Sequence, residues 1–187
     1  MTTWLIDNQS TSIDHLSQLL ATLGQNPTIV TYSNLDSATI KPKDFIVLSG
    51  SNILTAAWND DEFADELTLI KQHTGPMLGV CLGMQLIAHA YGAHMHQLPE
   101  KRYGLAHIKR VGSSELFNDT EYPVVFESHH WSVKKVPKPL ESLAESGAGI
   151  EILGHTKKPH YGVQFHPEAT DPGNGKELLD RILSNIL

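Results

Sequence analysis

The stretch MLGVCLGMQLIAHAYG, residues 77–92, decides the fold. Met77 to Val80 is a compact apolar run, short enough for a buried strand. From Leu82 onward the apolar residues Leu86, Ile87 and Ala90 recur at helical spacing until Gly92 stops them. The local order is strand, sharp turn, helix. The same alternation runs upstream. Thr3 to Ile6 is β-prone, and Ile13, Leu16, Leu19, Leu20 and Leu23 then space out a helix before Gly24. Thr28 to Tyr32 and Phe45 to Leu48 read as strands, and Asn59-Asp60-Asp61 opens a helix marked by Phe63, Leu67 and Ile70 and stopped at Gly75-Pro76. Parallel neighbours need crossover connections, so the pattern predicts an α/β fold with an open, mainly parallel sheet flanked by helices. Leu105 to Phe165 reads as short strands and turns, best at Val124 to Phe126, Trp131/Val133 and Tyr161 to Phe165, which predicts a small antiparallel portion. Gly175 to Leu187 closes as a helix with Leu178, Leu179, Ile182, Leu183 and Ile186 facing inward.

The 187 residues and 20.6 kDa suit one domain, 1–187, with a real core. Acidic residues outnumber basic ones by 21 to 14 and the pI is about 5.8, the wrong sign for a protein that grips nucleic-acid phosphates. A single cysteine excludes an internal disulfide and a multi-cysteine zinc site. The opening residues Met1 to Asp7 show neither a signal-peptide pattern nor a spanning segment, so a cytoplasmic location without membrane contact is expected. His94-x-His96 and His129-His130 have weak metal-ligand spacing, and solvated or hydrogen-bonded histidines are expected with no required metal. Lys134, Lys135, Lys138, Lys157 and Lys158 form a basic group, read as a solvated face. Gly79 to Gly83 lacks both the Walker lysine and the dinucleotide glycine spacing, so no bound nucleotide or other cofactor is expected.

The lone cysteine sits in Gly79-Val80-Cys81-Leu82-Gly83, between the predicted strand and helix. A nucleophile elbow needs small neighbours, because the turn is tight and its central residue is strained. The following helix aims its unpaired N–H groups and positive dipole end at the sulfur, favouring thiolate and offering a cradle for an oxyanion. A buried structural cysteine would leave the paired glycines unexplained. The base is supplied by His166-Pro167-Glu168, where extended geometry puts His166 and Glu168 on one side and the carboxylate can orient the imidazole. Cys81, His166 and Glu168 are the candidate nucleophile, base and orienter of a hydrolytic triad.

Gly79 to Gln85, and Tyr161-Gly162-Val163-Gln164-Phe165-His166-Pro167-Glu168, resemble the two signature blocks of the class I, triad-type glutamine amidotransferases. The resemblance extends through Ile6-Asp7-Asn8, Leu48-Ser49-Gly50, Glu100 to Gly104 and Ser128-His129 with Val133, and in length and block order it is nearest to the branch of stand-alone amidotransferase subunits of guanylate synthase. It implies a flavodoxin-like amidotransferase fold over the whole chain and glutamine as substrate. Cys81 would attack the carboxamide, His166 would protonate the departing ammonia, and a γ-glutamyl thioester would be hydrolysed to glutamate. The ammonia would pass to a separate ATP-dependent synthetase subunit, most simply one converting XMP to GMP. The resemblance also implies an oxyanion hole from the N–H groups of Leu82 and the Gly50-Ser51 turn, and substrate contacts from Gln85 and from a loop at His130-Trp131.

Two departures from the family pattern stand out. Ser49-Gly50-Ser51-Asn52 carries a serine where the turn usually has glycine. A serine keeps the N–H but resists glycine-only dihedrals, so Ser51→Gly raises turnover if that N–H is strained or poorly aimed and is nearly silent if the turn already has the right geometry. Trp131 stands where the guanylate synthase branch tends to carry an acidic residue. The residues leave two alternatives open: a free-standing γ-glutamyl hydrolase of the same superfamily, and a catalytically weak regulatory protein that keeps the fold. Segments Gly50 to Leu54 and Ser128 to Val133 are expected as loops that a docking partner repositions.

Overall fold

The computed structural model describes residues 1–37, 39–52, 61–112, 115–117, 122–170 and 173–187. Among them the order is β1 (Thr3–Asp7), α1 (Ile13–Thr22), β2 (Thr28–Thr31), β3 (Phe45–Leu48), α2 (Ala64–Gln72), β4 (Met77–Val80), α3 (Leu82–Ala90), β5 (Met95–His107), β6 (Lys109–Arg110), β7 (Val124–Val133), β8 (Leu140–Glu145), β9 (Ile150–His155), β10 (His160–Val163) and α4 (Gly175–Ile186). Asn59, Asp60 and the Ile53-Leu54 end of the expected turn lie outside the described residues.

An eight-stranded sheet runs in the order β2-β1-β3-β4-β10-β9-β8-β6, and β5 pairs with β7 as a second, two-stranded sheet. From β2 to β10 every neighbour is parallel, while the β10–β9, β9–β8 and β8–β6 pairs are antiparallel. Both faces of the parallel part are covered. On β3 the alternation shows why its four residues are all buried: Phe45 and Val47 pack with α1 and α4, and Ile46 and Leu48 with α2 and α3. The inward residues expected on α4 are all buried, each worth about 1.5–3 kcal/mol of transfer free energy.

Three readings need correction. The last strand is shorter than Tyr161 to Phe165 and joins β4 in parallel, so it belongs to the main sheet. His130 and Trp131 are not in a loop: Ser128 to Val133 falls within β7, whose ten residues pair with β5 over almost their full length. β5 itself begins at Met95, inside a stretch with Pro99, charged and polar neighbours and a register shift between Gln97 and Arg102. A strand paired on one side, with most side chains in water, has no apolar alternation to read.

The parallel strands end on one edge, and that edge carries Asn8 after β1, Ser49 after β3, Cys81 after β4 and Gln164 after β10. Open α/β sheets bind ligands outside the carboxyl ends of their strands.

Candidate active site

Cys81 forms the turn between β4 and α3 with φ 51° and ψ −104°, a left-handed conformation that a side chain rarely adopts. The glycines explain how the turn closes. A Cβ at Gly79 would stand 2.4 Å from the Gly83 carbonyl carbon, and one at Gly83 would stand 2.3 Å from the Leu48 oxygen. The Cys81 N–H bonds the Val163 carbonyl at 2.8 Å and the Gly83 N–H bonds the Ser49 carbonyl at 3.1 Å, so β10 and the end of β3 fix the elbow from either side. Cys81 is buried, and the first N–H groups of α3 have no partner within their own helix.

His166 and Glu168 follow β10. His166 Nδ1 lies 2.8 Å from Glu168 Oε1, and the Ser12 hydroxyl donates to the same oxygen at 2.8 Å. Ser12 caps α1 by position, but its hydroxyl makes no cap bond and serves the carboxylate instead. Burial pushes the His166 imidazole toward its neutral form, but the neighbouring Cys81 sulfur and the Glu168 carboxylate outweigh this and hold its pKa well above the ordinary histidine value. Glu168 is pushed up by burial and pulled further down by His166, with a contribution from Ser12, so it stays a carboxylate.

The Ser49-to-Asn52 turn completes this edge. Gly50 approaches both Cys81 and His166: a Cβ there would stand 3.3 Å from Cys81 Cβ and 3.3 Å from His166 Cε1. Asn8 holds the turn, its N–H bonding Ser49 Oγ at 2.9 Å and its Nδ2 bonding the Ser49 carbonyl at 3.2 Å. Asn52 Oδ1 accepts from the Thr11 hydroxyl at 3.0 Å. Of the two geometries left open for Ser51, the unstrained one is found. Among the described residues only Gln9 and Cys81 combine positive φ with a side chain, so Ser51 sits in ordinary backbone space.

A cavity of about 200 Å³ opens over Cys81. It gathers Ser51, Leu82, Gln85, His130 and Trp131 from the sequence reading, and adds Asn52, Lys101, Ser128 and His129, which that reading did not single out as site residues. A neighbouring cavity of about 150 Å³ shares Ser51, Asn52 and Ser128 and reaches His166 and Glu168. Gln85 Nε2 bonds the Trp131 carbonyl at 3.0 Å and Gln164 Oε1 at 3.0 Å, which occupies both amide protons and leaves its own oxygen as acceptor. Gln164 Nε2 reaches the Cys81 sulfur at 3.6 Å. Gln164 had a legible signal, since it precedes His166 and Glu168 at the same alternate spacing. Ser12 had none.

The sequence model of the glutamine amidotransferase class-I family matches residues 4–186. The chain belongs to the class I glutamine amidotransferases. This amidotransferase is 32% identical over 182 residues to the glutamine-hydrolysing GMP synthase subunit of Methanobrevibacter smithii, with 95% of this chain and 93% of that protein covered. It is 31% identical over 179 residues to the corresponding subunit of Pyrococcus furiosus, covering 94% and 93%. A crystal structure from Thermoplasma acidophilum, of a protein described as a GMP synthase subunit, superposes with a TM-score of 0.82 at 26% identity and covers 98% and 92% of the two chains. No described helix of the amidotransferase is long and apolar enough to cross a membrane.

Proposed function

We propose that residues 1–187 act as one cytoplasmic glutaminase domain that hydrolyses glutamine and hands the ammonia to a separate ATP-dependent synthetase subunit, the pair forming a GMP synthase. The observation that carries this reading is the meeting of a left-handed cysteine elbow at the start of a helix with an imidazole already paired to a buried carboxylate. Support for the synthetase comes from relatives of matching length that are themselves glutamine-hydrolysing subunits of GMP synthase.

The Cys81 thiolate adds to the carboxamide carbon, and the oxyanion is met by the N–H groups of Leu82 and Ser51. His166, its Nδ1 proton bonded to Glu168, gives a proton from Nε2 to the nitrogen, and ammonia leaves with formation of the γ-glutamyl thioester. A water then gives its proton to His166 and attacks the thioester, releasing glutamate and the thiolate. Gln85 offers its oxygen to the substrate ammonium, and Lys101, the one cationic lysine or arginine of the Cys81 cavity among the described residues, complements the substrate carboxylate. Gly50 keeps the approach between Cys81 and His166 open, and the His130-Trp131 backbone closes the cavity wall.

Treatment with a glutamine analogue bearing an electrophilic side chain tests this. One adduct is expected, located at Cys81 by mass spectrometry and absent in Cys81→Ala. Labelling that persists in Cys81→Ala sinks the assignment. Parallel kinetics on glutamine and on substituted γ-glutamyl amides separate an amidotransferase from a general γ-glutamyl hydrolase, which would accept both.

A further inference from the structure

Next to the glutamine cavity, three buried side chains converge that the proposed reaction does not use. Glu127 and His129 come from β7 and Glu151 from β9, and they are 3%, 4% and 0% exposed. One ligand atom of each lies within 4.8 Å of the other two. His129 Nδ1 stands 2.9 Å from the Trp131 carbonyl oxygen. A carbonyl only accepts, so Nδ1 donates to it and the other ring nitrogen, Nε2, points toward the cluster. Nε2 lies 3.7 Å from Glu127 Oε2. Nε2, Glu127 Oε1 and Glu151 Oε2 are all buried and without a hydrogen-bond partner among the described residues. Two buried carboxyls and an imidazole gathered this closely call for positive charge among them, from protons on these groups, from Arg102, which bears electrostatically on Glu151, or from a bound cation.

We propose that Glu127, His129 and Glu151 bind one borderline divalent cation, Zn2+, through one imidazole nitrogen and two carboxylate oxygens. One nitrogen and two oxygens with an open fourth position is a donor set this ion accepts. The ligand atoms of a tetrahedral zinc centre stand about 3.3 Å apart, so the three side chains close inward by small rotations on binding. The supporting groups are already in place. The His129 Nδ1–H bond to Trp131 fixes the tautomer a metal ligand needs, and the Ser146 hydroxyl donates to Glu151 Oε1 at 2.7 Å. His129 also lines the Cys81 cavity, which gives an ion a way in. The Trp131 carbonyl held by His129 is the same one that receives Gln85, so the cation would brace the wall of the glutamine cavity and take no part in bond breaking.

The test uses full-length Cys81→Ser protein, so that the thiol cannot hold zinc. After chelator treatment and desalting, Zn2+ is added, excess is removed, and metal per chain and the melting temperature are measured. About one Zn2+ per chain and a raised melting temperature are expected, with binding weakened at least tenfold or so in Glu127→Gln and in Glu151→Gln. No retained zinc and no thermal shift would mean that the cluster holds protons only. Retention undiminished in the Glu127→Gln/Glu151→Gln double variant would place the metal elsewhere. Either outcome overturns the proposal. Should the variants misfold, anomalous diffraction at the zinc edge from soaked Cys81→Ser crystals decides, a peak among the three side chains supporting the site and its absence refuting it.

Discussion

Ser51 separates a pattern in the sequence from a constraint in the structure. A serine resists glycine-only dihedrals, yet Ser51 keeps an ordinary φ and the turn asks for none. At Gly50 a Cβ would stand 3.3 Å from both Cys81 Cβ and His166 Cε1, so a side chain there asks these neighbours to give by a few tenths of an ångström. Ser51→Gly is therefore expected to change kcat by less than about twofold, whereas a badly aimed oxyanion donor relieved by glycine would raise it by roughly a hundredfold. Steady-state glutamate release reads the difference. Cys81, His166 and Glu168 were legible because elbow and alternation are local patterns. Ser12, 156 residues from the carboxylate it supports, was not, since only the packing of α1 against the end of β10 brings them together.

At the scale of elements, the interior of the sheet was readable and its periphery was not. β3 and β4 are apolar throughout and α3 is so apart from Gln85 and His89, because these elements are largely buried, and continuous burial leaves a strong signal. β5, β8 and β9 lie in the antiparallel part, where β5 is exposed and β8 and β9 meet across register shifts. Helix α2 carries a feature that no pattern announces. Glu66 is 1% exposed, and burial drives its pKa up to about 7 against a smaller downward pull from a hydrogen bond to the Asn8 amide. Below about pH 4.5 the carboxyl is protonated in the folded and unfolded chains alike, and it has no effect on pH dependence. Between that value and about 7 the unfolded chain ionises while the folded one does not, so rising pH favours unfolding, by up to about 3 kcal/mol. Glu66→Gln should then nearly match the parent in stability at pH 4 and exceed it at pH 8. Denaturant melts at the two pH values check the sign. An equal gain at both would assign the effect to packing and leave ionisation without a part.

For the whole molecule, the question is what restrains a site that is already assembled. An unregulated glutaminase would lose ammonia to water, and in the proposed function the acceptor chemistry is that of a separate synthetase subunit. Cys81 and His166 are tied to the main sheet and β7 by backbone bonds, and the Ser51-Asn52 turn and Lys101 on β5 complete the border of the cavity. Among the described residues β5 pairs with β7 alone, and its Tyr103 and Leu105 are 76% and 50% exposed. A synthetase resting on this side could tighten the turn and the Lys101 wall without disturbing the triad, which is how a gating contact changes kcat. The isolated chain should show low glutamate release, rising about tenfold or more, equivalent to about 1.4 kcal/mol of barrier, when the synthetase is added together with its nucleotide substrate. Because the triad is complete beforehand, cysteine labelling by the electrophilic analogue should change much less than turnover under the same addition. Full turnover from the isolated chain, with no response to the synthetase, would instead favour a free-standing γ-glutamyl hydrolase built on the same fold.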